Sequence, residues 1–402
     1  MTITLLAYIY QPMIIHNSIF IILFFFSLNA IGQEIATVKS EVIHSEILNQ
    51  DREILIYLPF GYNENTYSHY DVIYVFDAQN RELFDYVHSV PGFLNNTGRS
   101  FIVVSITSSY YEETDYARNH DMLPPPRYTE PSEFYGGYSG NADNFISFVE
   151  KEVINHIESK YRTLGNRLAI GHSLSASLIL YSLISKTGLF DDFIAVSPNL
   201  AYDKERLAED LINFNYSKLQ SPTFIYTSQA NEGINYWKEW KPAFEKVSTF
   251  LSDSSRKNII YYHKSFPDNN HWNTYISSIN EGLRLYLDFY SKNYISRLSN
   301  ETIPLTIQVT VPNKEDSVYI TGNQESLANW TPGQILLSHK SDLVREITVK
   351  VKIPVEFKIT RNKDWMTEAY IRGNEFMGNI SIIDKNINTI KLEVLDWNDL
   401  ME

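Results

Sequence analysis

The sequence has 402 residues, 44% hydrophobic and 20% charged, with 0 cysteines and a formal net charge of -14 at pH 7. That length exceeds what one hydrophobic core usually serves, so two domains are expected, and the composition is globular rather than disordered. The acidic balance disfavours nucleic acid as a partner, and the missing thiols exclude disulfides, thiolate metal sites and a lipid-anchored N-terminal cysteine.

Residues 19–28, IFIILFFFSL, have the length of a signal-peptide core and are too short for a spanning helix. Small residues at 29–32 put cleavage before Gln33, so residues 1–32 read as a signal peptide. No Lys or Arg precedes Lys39, which makes Met13 an alternative start and an uncleaved anchor the alternative to cleavage. The mature protein is expected to be exported, to a periplasm, cell surface or medium, without stable membrane insertion. An exported protein free of disulfides fits a bacterial setting.

Residues 42–58 read as two strands about a turn at 49–51. Residues 71–77 and 101–106 are buried strands. The segment 110–140 is irregular and rich in Tyr, Pro and Gly, and is expected to wall a cleft. An amphipathic helix covers 141–161, with Phe145, Phe148, Val149, Val153 and Ile157 on one face. Further strands are expected at 168–170, 193–198, 223–227 and 259–262, and helices at 236–251 and 275–290. Strands alternating with helices imply an α/β fold with a mostly parallel sheet covered on both faces.

The strand at 168–170 runs into Gly171-His172-Ser173-Leu174-Ser175 and then an apolar helix. Strand, sharp turn and helix are the setting of a nucleophile elbow, which lifts a serine hydroxyl out of the sheet. Gly171 lets the backbone pass close to Ser173. The first helical N–H, that of Leu174, points where an oxyanion would form. The usual pattern is G-x-S-x-G, and Ser175 replaces its last glycine. The alternative is an ordinary serine N-cap.

A serine hydroxyl needs a histidine to take its proton and a carboxylate to orient that histidine. In this fold the acid and then the histidine follow the serine along the chain. Glu232 follows the strand at 223–227. Three histidines come after it: His263 at a strand end, His271 in the turn FPDNNHW, and His339 far downstream. Asp268 is an alternative acid, although it reads better as a turn residue.

The stretch GHSLSASLILYSLISKTGLFDDFIAVSPNL resembles the elbow region of the esterases that include enterochelin esterases, S-formylglutathione hydrolase and the mycolyl transferases. The segment DREILIYLPFGY at 51–62 is similar to that family's opening, and RNHDMLPP at 118–125 to its R-x-x-D-x-x-P loop. The resemblance implies an α/β-hydrolase with a Ser-His-acid triad. It favours Glu232 as the acid and His271 as the histidine, with His263 in reserve. It also implies a second oxyanion N–H at Gln79, although Asp77-Ala78 stands where relatives have Asp-Gly.

After residue 299 short alternating runs dominate, separated by Gly, Asn and Pro. Residues 300–402 therefore read as an all-β, immunoglobulin-like sandwich, and 33–299 as the hydrolase domain. VYITGN, LANW, EFKITR and VLDW resemble pieces of starch-binding type carbohydrate modules. The platform Trp of such modules is replaced by Leu343-Val344-Arg345, and Trp330 reads as packing. Trp365 is the best candidate for stacking on a sugar, and Trp237 for lining an aromatic cleft. The expected activity is hydrolysis of a carboxylic ester, of a carbohydrate or a siderophore, with no metal or cofactor. The rival reading is an exported binding protein that keeps the fold without the chemistry.

Overall fold

The computed structural model describes residues 36–94, 99–112, 115–130, 139–232, 238–253 and 258–400. The signal-peptide reading of residues 1–32 and the site candidate Trp237 fall outside the described residues.

Among the described residues ten strands precede residue 266: β1 (Thr37–Ser45), β2 (Gln50–Leu58), β3 (Tyr70–Phe76), β4 (Phe101–Ile106), a small hairpin of β5 (Tyr110–Tyr111) and β6 (Asp115–Tyr116), then β7 (Thr163–His172), β8 (Asp192–Val196), β9 (Thr223–Gln229) and β10 (Ile259–Ser265). Eight of them form one sheet in the order β1-β2-β4-β3-β7-β8-β9-β10. From β4 to β10 all neighbours are parallel, whereas β2 runs antiparallel to both of its own. The expected mostly parallel sheet is therefore present.

The central strands are continuous apolar runs because both faces of the sheet are covered. Val72, Tyr74 and Phe76 of β3 enter one core, and Ile73 and Val75 enter the other. On the first face lie α4 (Ala142–Phe148), α5 (Asn155–Lys160), α6 (Leu174–Ser185), α7 (Tyr202–Asn213) and α8 (Trp240–Leu251). On the second lie α1 (Arg81–Ser89) and the long α9 (Thr274–Asn293), and the short helices α2 (Pro91–Leu94) and α3 (Arg118–Met122) fall in the connections. The helix expected over 141–161 is helical almost throughout, but Val149–Ile154 winds as a π-helix between its two α-helical ends. The helix expected from 236 is described from Trp240 onward.

Beyond residue 300 the chain is all β. One sheet orders Ser338–His339, Val344–Val351, Ile303–Thr310, Thr389–Trp397 and Ala369–Ile371, and the other Ile335–Leu336, Val318–Gly322, Val355–Arg361 and Ile380–Ile382. Leu305, Ile307 and Trp397 from the first meet Val318, Ile320 and Phe357 from the second in a common core. Most pairs are antiparallel, but Ile303–Thr310 and Thr389–Trp397 pair in parallel. This region docks on the loop ahead of β3. The Thr66 N–H donates to the Gly373 carbonyl at 2.7 Å, the Phe376 N–H to the Asn65 side-chain oxygen at 3.0 Å, and the Ser381 N–H to the Tyr67 carbonyl at 3.0 Å. These contacts sit where parallel strands begin. The turn carrying Ser173 lies where they end.

Candidate active site

β7 ends at His172 and α6 starts at Leu174, so the single residue between them, Ser173, makes the whole turn. Its backbone has φ 63 and ψ -117, a combination a non-glycine residue holds only under strain. Two neighbours enforce it. A Cβ on Gly171 would fall 2.5 Å from the Ser175 carbonyl, so only glycine fits there. The Ser173 N–H is held by the Val196 carbonyl at 2.9 Å. Ser175, the departure from the usual glycine, is fully buried, and its hydroxyl accepts from the His172 N–H and donates to the His172 carbonyl, both at 2.9 Å. The serine fills the glycine position and ties the turn shut.

Glu232 and His271 come from neighbouring loops at the carboxyl ends of β9 and β10. Backbone bonds join those loops: the Phe266 N–H donates to the Gln229 carbonyl at 2.8 Å, and the Asn231 N–H to the Asn269 carbonyl at 2.9 Å. Asn270 shapes the turn around His271, its side-chain oxygen accepting from the Trp272 and Asn273 N–H groups. His271 is 3% exposed, and its Nδ1 lies 2.9 Å from Glu232 Oε1. Burial alone would raise the Glu232 carboxyl, but the His271 ring and the Ser197 hydroxyl outweigh it and hold the group below its ordinary range. The ionised carboxylate accepts, so Nδ1 carries the proton and Nε2 is the basic nitrogen.

His172 does more than precede Ser173. Its Nε2–H donates to the His271 carbonyl at 2.8 Å, and the two rings lie 4.8 Å apart. Burial and the neighbouring imidazole push its pKa down to about 4, so it is a neutral donor near pH 7. Sequence reading assigned this residue no role, because the bond depends on a loop 99 residues away. Trp240, at 5.3 Å, and Trp272, at 5.4 Å, stand edge-on to the His271 ring. Trp272 is 66% exposed and forms an apolar rim that the sequence had not singled out.

The turn after β3 is joined to the turn of Ser173 through Arg118. Asp77 has φ 72, and Arg118 grips its carboxylate with two bonds, of 2.9 and 2.7 Å. Burial would raise the Asp77 carboxyl, but the Arg118 charge and its hydrogen bonds hold it low. The same guanidinium donates to the His172 carbonyl at 3.2 Å. Gln79 turns its side chain inward, donating to Asp77 at 2.9 Å and accepting from the Ser108 N–H at 3.1 Å. Its carboxamide thus fixes the turn that carries its backbone N–H. Two motif fragments distant in the sequence also meet: Arg52 binds Asp121 with bonds of 2.6 and 3.2 Å.

The other candidates lie elsewhere. His263 is on an exposed stretch of β10, stacked on Tyr261, and His339 is exposed in the sandwich. Trp365 is on the sandwich, away from the turn of Ser173. Part of the segment expected to wall the cleft packs on α7, where Asp203 accepts the Tyr128 N–H at 2.9 Å and the Tyr202 hydroxyl binds the Pro124 carbonyl at 2.8 Å. Among the described residues no group of three or more His, Asp or Glu is placed to hold a metal ion.

The Esterase family model matches residues 45–286, more than half of the chain. The chain belongs to this esterase family. Ferri-bacillibactin esterase BesA of Bacillus subtilis is 30% identical over 108 residues, 26% of this chain and 37% of that protein. Siderophore enterobactin esterase of Emericella nidulans is 26% identical over 130 residues, 30% of this chain and 42% of that protein. The match thus spans about two fifths of these curated relatives' lengths. Among solved structures, an IroE-like serine hydrolase from Shewanella oneidensis is similar in fold, with TM-score 0.54 and 23% identity, over 63% of this chain and 81% of that one. The esterase match ends before the C-terminal sheets begin.

Proposed function

We propose that this esterase-family chain is an exported serine hydrolase that cleaves carboxylic esters through Ser173, His271 and Glu232. The observation that carries the reading is the buried 2.9 Å bond between His271 Nδ1 and Glu232, linked through the His172–His271 bond to a strained strand-to-helix turn whose single residue is Ser173. His271 Nε2 takes the Ser173 proton as the hydroxyl attacks the ester carbonyl. Glu232 stabilises the imidazolium that results. The Leu174 and Gln79 N–H groups receive the oxyanion. The imidazolium then protonates the leaving alcohol, the alcohol departs, and an acyl-enzyme remains on Ser173. Water, activated by the same nitrogen, attacks the acyl carbon and releases the acid.

Siderophore esters are the substrate class we favour, supported by the names of the two curated relatives. The exposed Trp272 beside Trp240 and His271 suits a substrate with flat aromatic groups. Export rests on the apolar run at 19–28. Among the described residues no helix is long and apolar enough to cross a membrane. The test is a panel of a trilactone siderophore, feruloylated and acetylated oligosaccharides and short nitrophenyl esters, given to the parent and to Ser173→Ala. Turnover of at least one ester should fall by roughly a million-fold in the variant. Equal turnover in the two proteins would refute the assignment and leave the binding-protein reading. Faster cleavage of the oligosaccharide esters than of the siderophore would move the substrate class to carbohydrates.

A further inference from the structure

We propose that a cavity between the hydrolase and the C-terminal sandwich is a second ligand site, separate from the catalytic one, that binds a neutral saccharide. The cavity has a volume of about 530 Å³, within the range of small-molecule sites. Its walls come from both halves of the chain. Tyr290 and Tyr294 belong to α9 and the short helical turn after it, and Trp330 and Trp365 belong to the sandwich.

The position separates it from Ser173. His271 lies just before the first residue of α9, whereas Tyr290 and Tyr294 lie at its far end. A helix of 20 residues spans about 30 Å. Arg99, which also lines the cavity, precedes β4, at the amino ends of the parallel strands. Ser173 stands at the carboxyl ends.

The lining selects the ligand class. The Tyr290 and Tyr294 rings lie nearly parallel, 20° apart, and the Arg99 guanidinium sits 4.2 Å from the Tyr290 ring centre, so the aromatic wall is a stack braced by a cation. Trp365 is 39% exposed although it lines a cavity, so a large ring meets solvent at the mouth. The charged residues that line the cavity are matched, Lys358 with Glu368 and Arg99 with Glu356, while Arg99 also binds Asp71 outside the lining. An ionic ligand would find each lining charge already partnered, and an apolar ligand would strand these polar groups. A sugar ring meets both demands, with one apolar C–H face for the aromatic rings and a rim of hydroxyls for carboxylate, ammonium and amide. The site is not an exposed platform on the sandwich alone, because one wall is the hydrolase helix.

The proposal stands independently of the catalytic reading. Its test is titration calorimetry, with tryptophan fluorescence, on full-length Ser173→Ala protein given maltotetraose, cellotetraose, xylotetraose and a catechol trilactone. At least one saccharide should bind saturably, and Trp365→Ala and Tyr294→Ala, one on each wall, should each weaken it about ten-fold or more. Trp365→Tyr should restore part of the affinity, which separates ring loss from misfolding. Binding should be unchanged in parent protein whose Ser173 has been capped by a phosphonate. The proposal falls if no saccharide binds below about 10 mM, an affinity of only about 3 kcal/mol. It falls equally if binding survives both alanine variants, if the cap abolishes it, or if the trilactone alone binds.

Discussion

The two ends of the central sheet each carry a buried aspartate gripped by an arginine through two bonds. At the amino end Arg297 binds Asp192, the first residue of β8, with both bonds at 2.8 Å. At the carboxyl end Arg118 binds Asp77 at 2.9 and 2.7 Å. The ion pairs are alike, and what differs is the next contact. Arg297 reaches the Pro222 carbonyl and Asn166, so it ties strand starts together. Arg118 reaches the carbonyl of His172, the residue before Ser173. Asp77 and Ser173, both non-glycine residues, also have positive φ, whereas at the starts of the neighbouring strands the one positive φ among the described residues falls on a glycine, Gly165. The same chemistry therefore anchors structure at one end and holds a strained turn in place at the other. Strain and irregular backbone collect at the carboxyl end, where the loops meet.

The comparison can be broken by substitution, and the largest effect is expected at the carboxyl end. Glu232→Gln keeps the shape of the acid but removes the charge that fixes the His271 tautomer. The kcat for ester hydrolysis should fall about ten-thousand-fold with an unchanged unfolding midpoint. A fall of only a few fold would remove Glu232 from the triad.

Arg118→Met and Arg297→Met each leave a buried aspartate without its cation. Urea unfolding should show each variant destabilised by about 3–5 kcal/mol. At a temperature where both stay folded, only Arg118→Met should lower kcat, because only Arg118 touches the catalytic turn. Equal kcat losses would erase the contrast between the two ends.

The smallest effect is a pH dependence. His172 is depressed in the folded state from 6.5 to about 4, so the unfolded chain binds a proton there first as pH falls. Stability present above pH 6.5 should be lost as pH falls toward 4, by about 3 kcal/mol from this group. His172→Gln keeps a side-chain N–H for the His271 carbonyl and lacks the titration. Urea midpoints at pH 7 and pH 4.5 should diverge less in the variant than in the parent. A parallel loss in both proteins would mean that His172 is charged or exposed.

Local pattern carried much of the hydrolase domain. Continuous apolar runs marked β3, β4, β8 and β9, because both faces of each strand are buried. The spacing of Phe145, Phe148, Val149, Val153 and Ile157 marked a helical face even where Val149–Ile154 winds more widely, since all five remain buried in one core. The elbow was legible because strand, turn and helix are contiguous in the chain. The contacts of Arg118, His172 and Ser175 were not, since each depends on partners brought near by the fold. Chain order and loop position left Glu232 and His271 among several candidates and the family resemblance favoured them, whereas the backbone bonds that clamp their loops together became visible only in three dimensions. Trp365 was legible as an exposed ring in a polar loop. That the other wall beside it would be the end of α9 was not, because nothing local records how the C-terminal sheets pack on the rest of the chain.

The central claim is that Ser173 is acylated by substrate. Intact-protein mass spectrometry after brief exposure to a nitrophenyl ester at low pH, where deacylation is slow, tests it directly, with peptide mapping of the adduct. One acyl group should be found on the parent, on the peptide that contains Ser173, and none on Ser173→Ala. An adduct on another residue, or an equal adduct on the variant, would contradict the account.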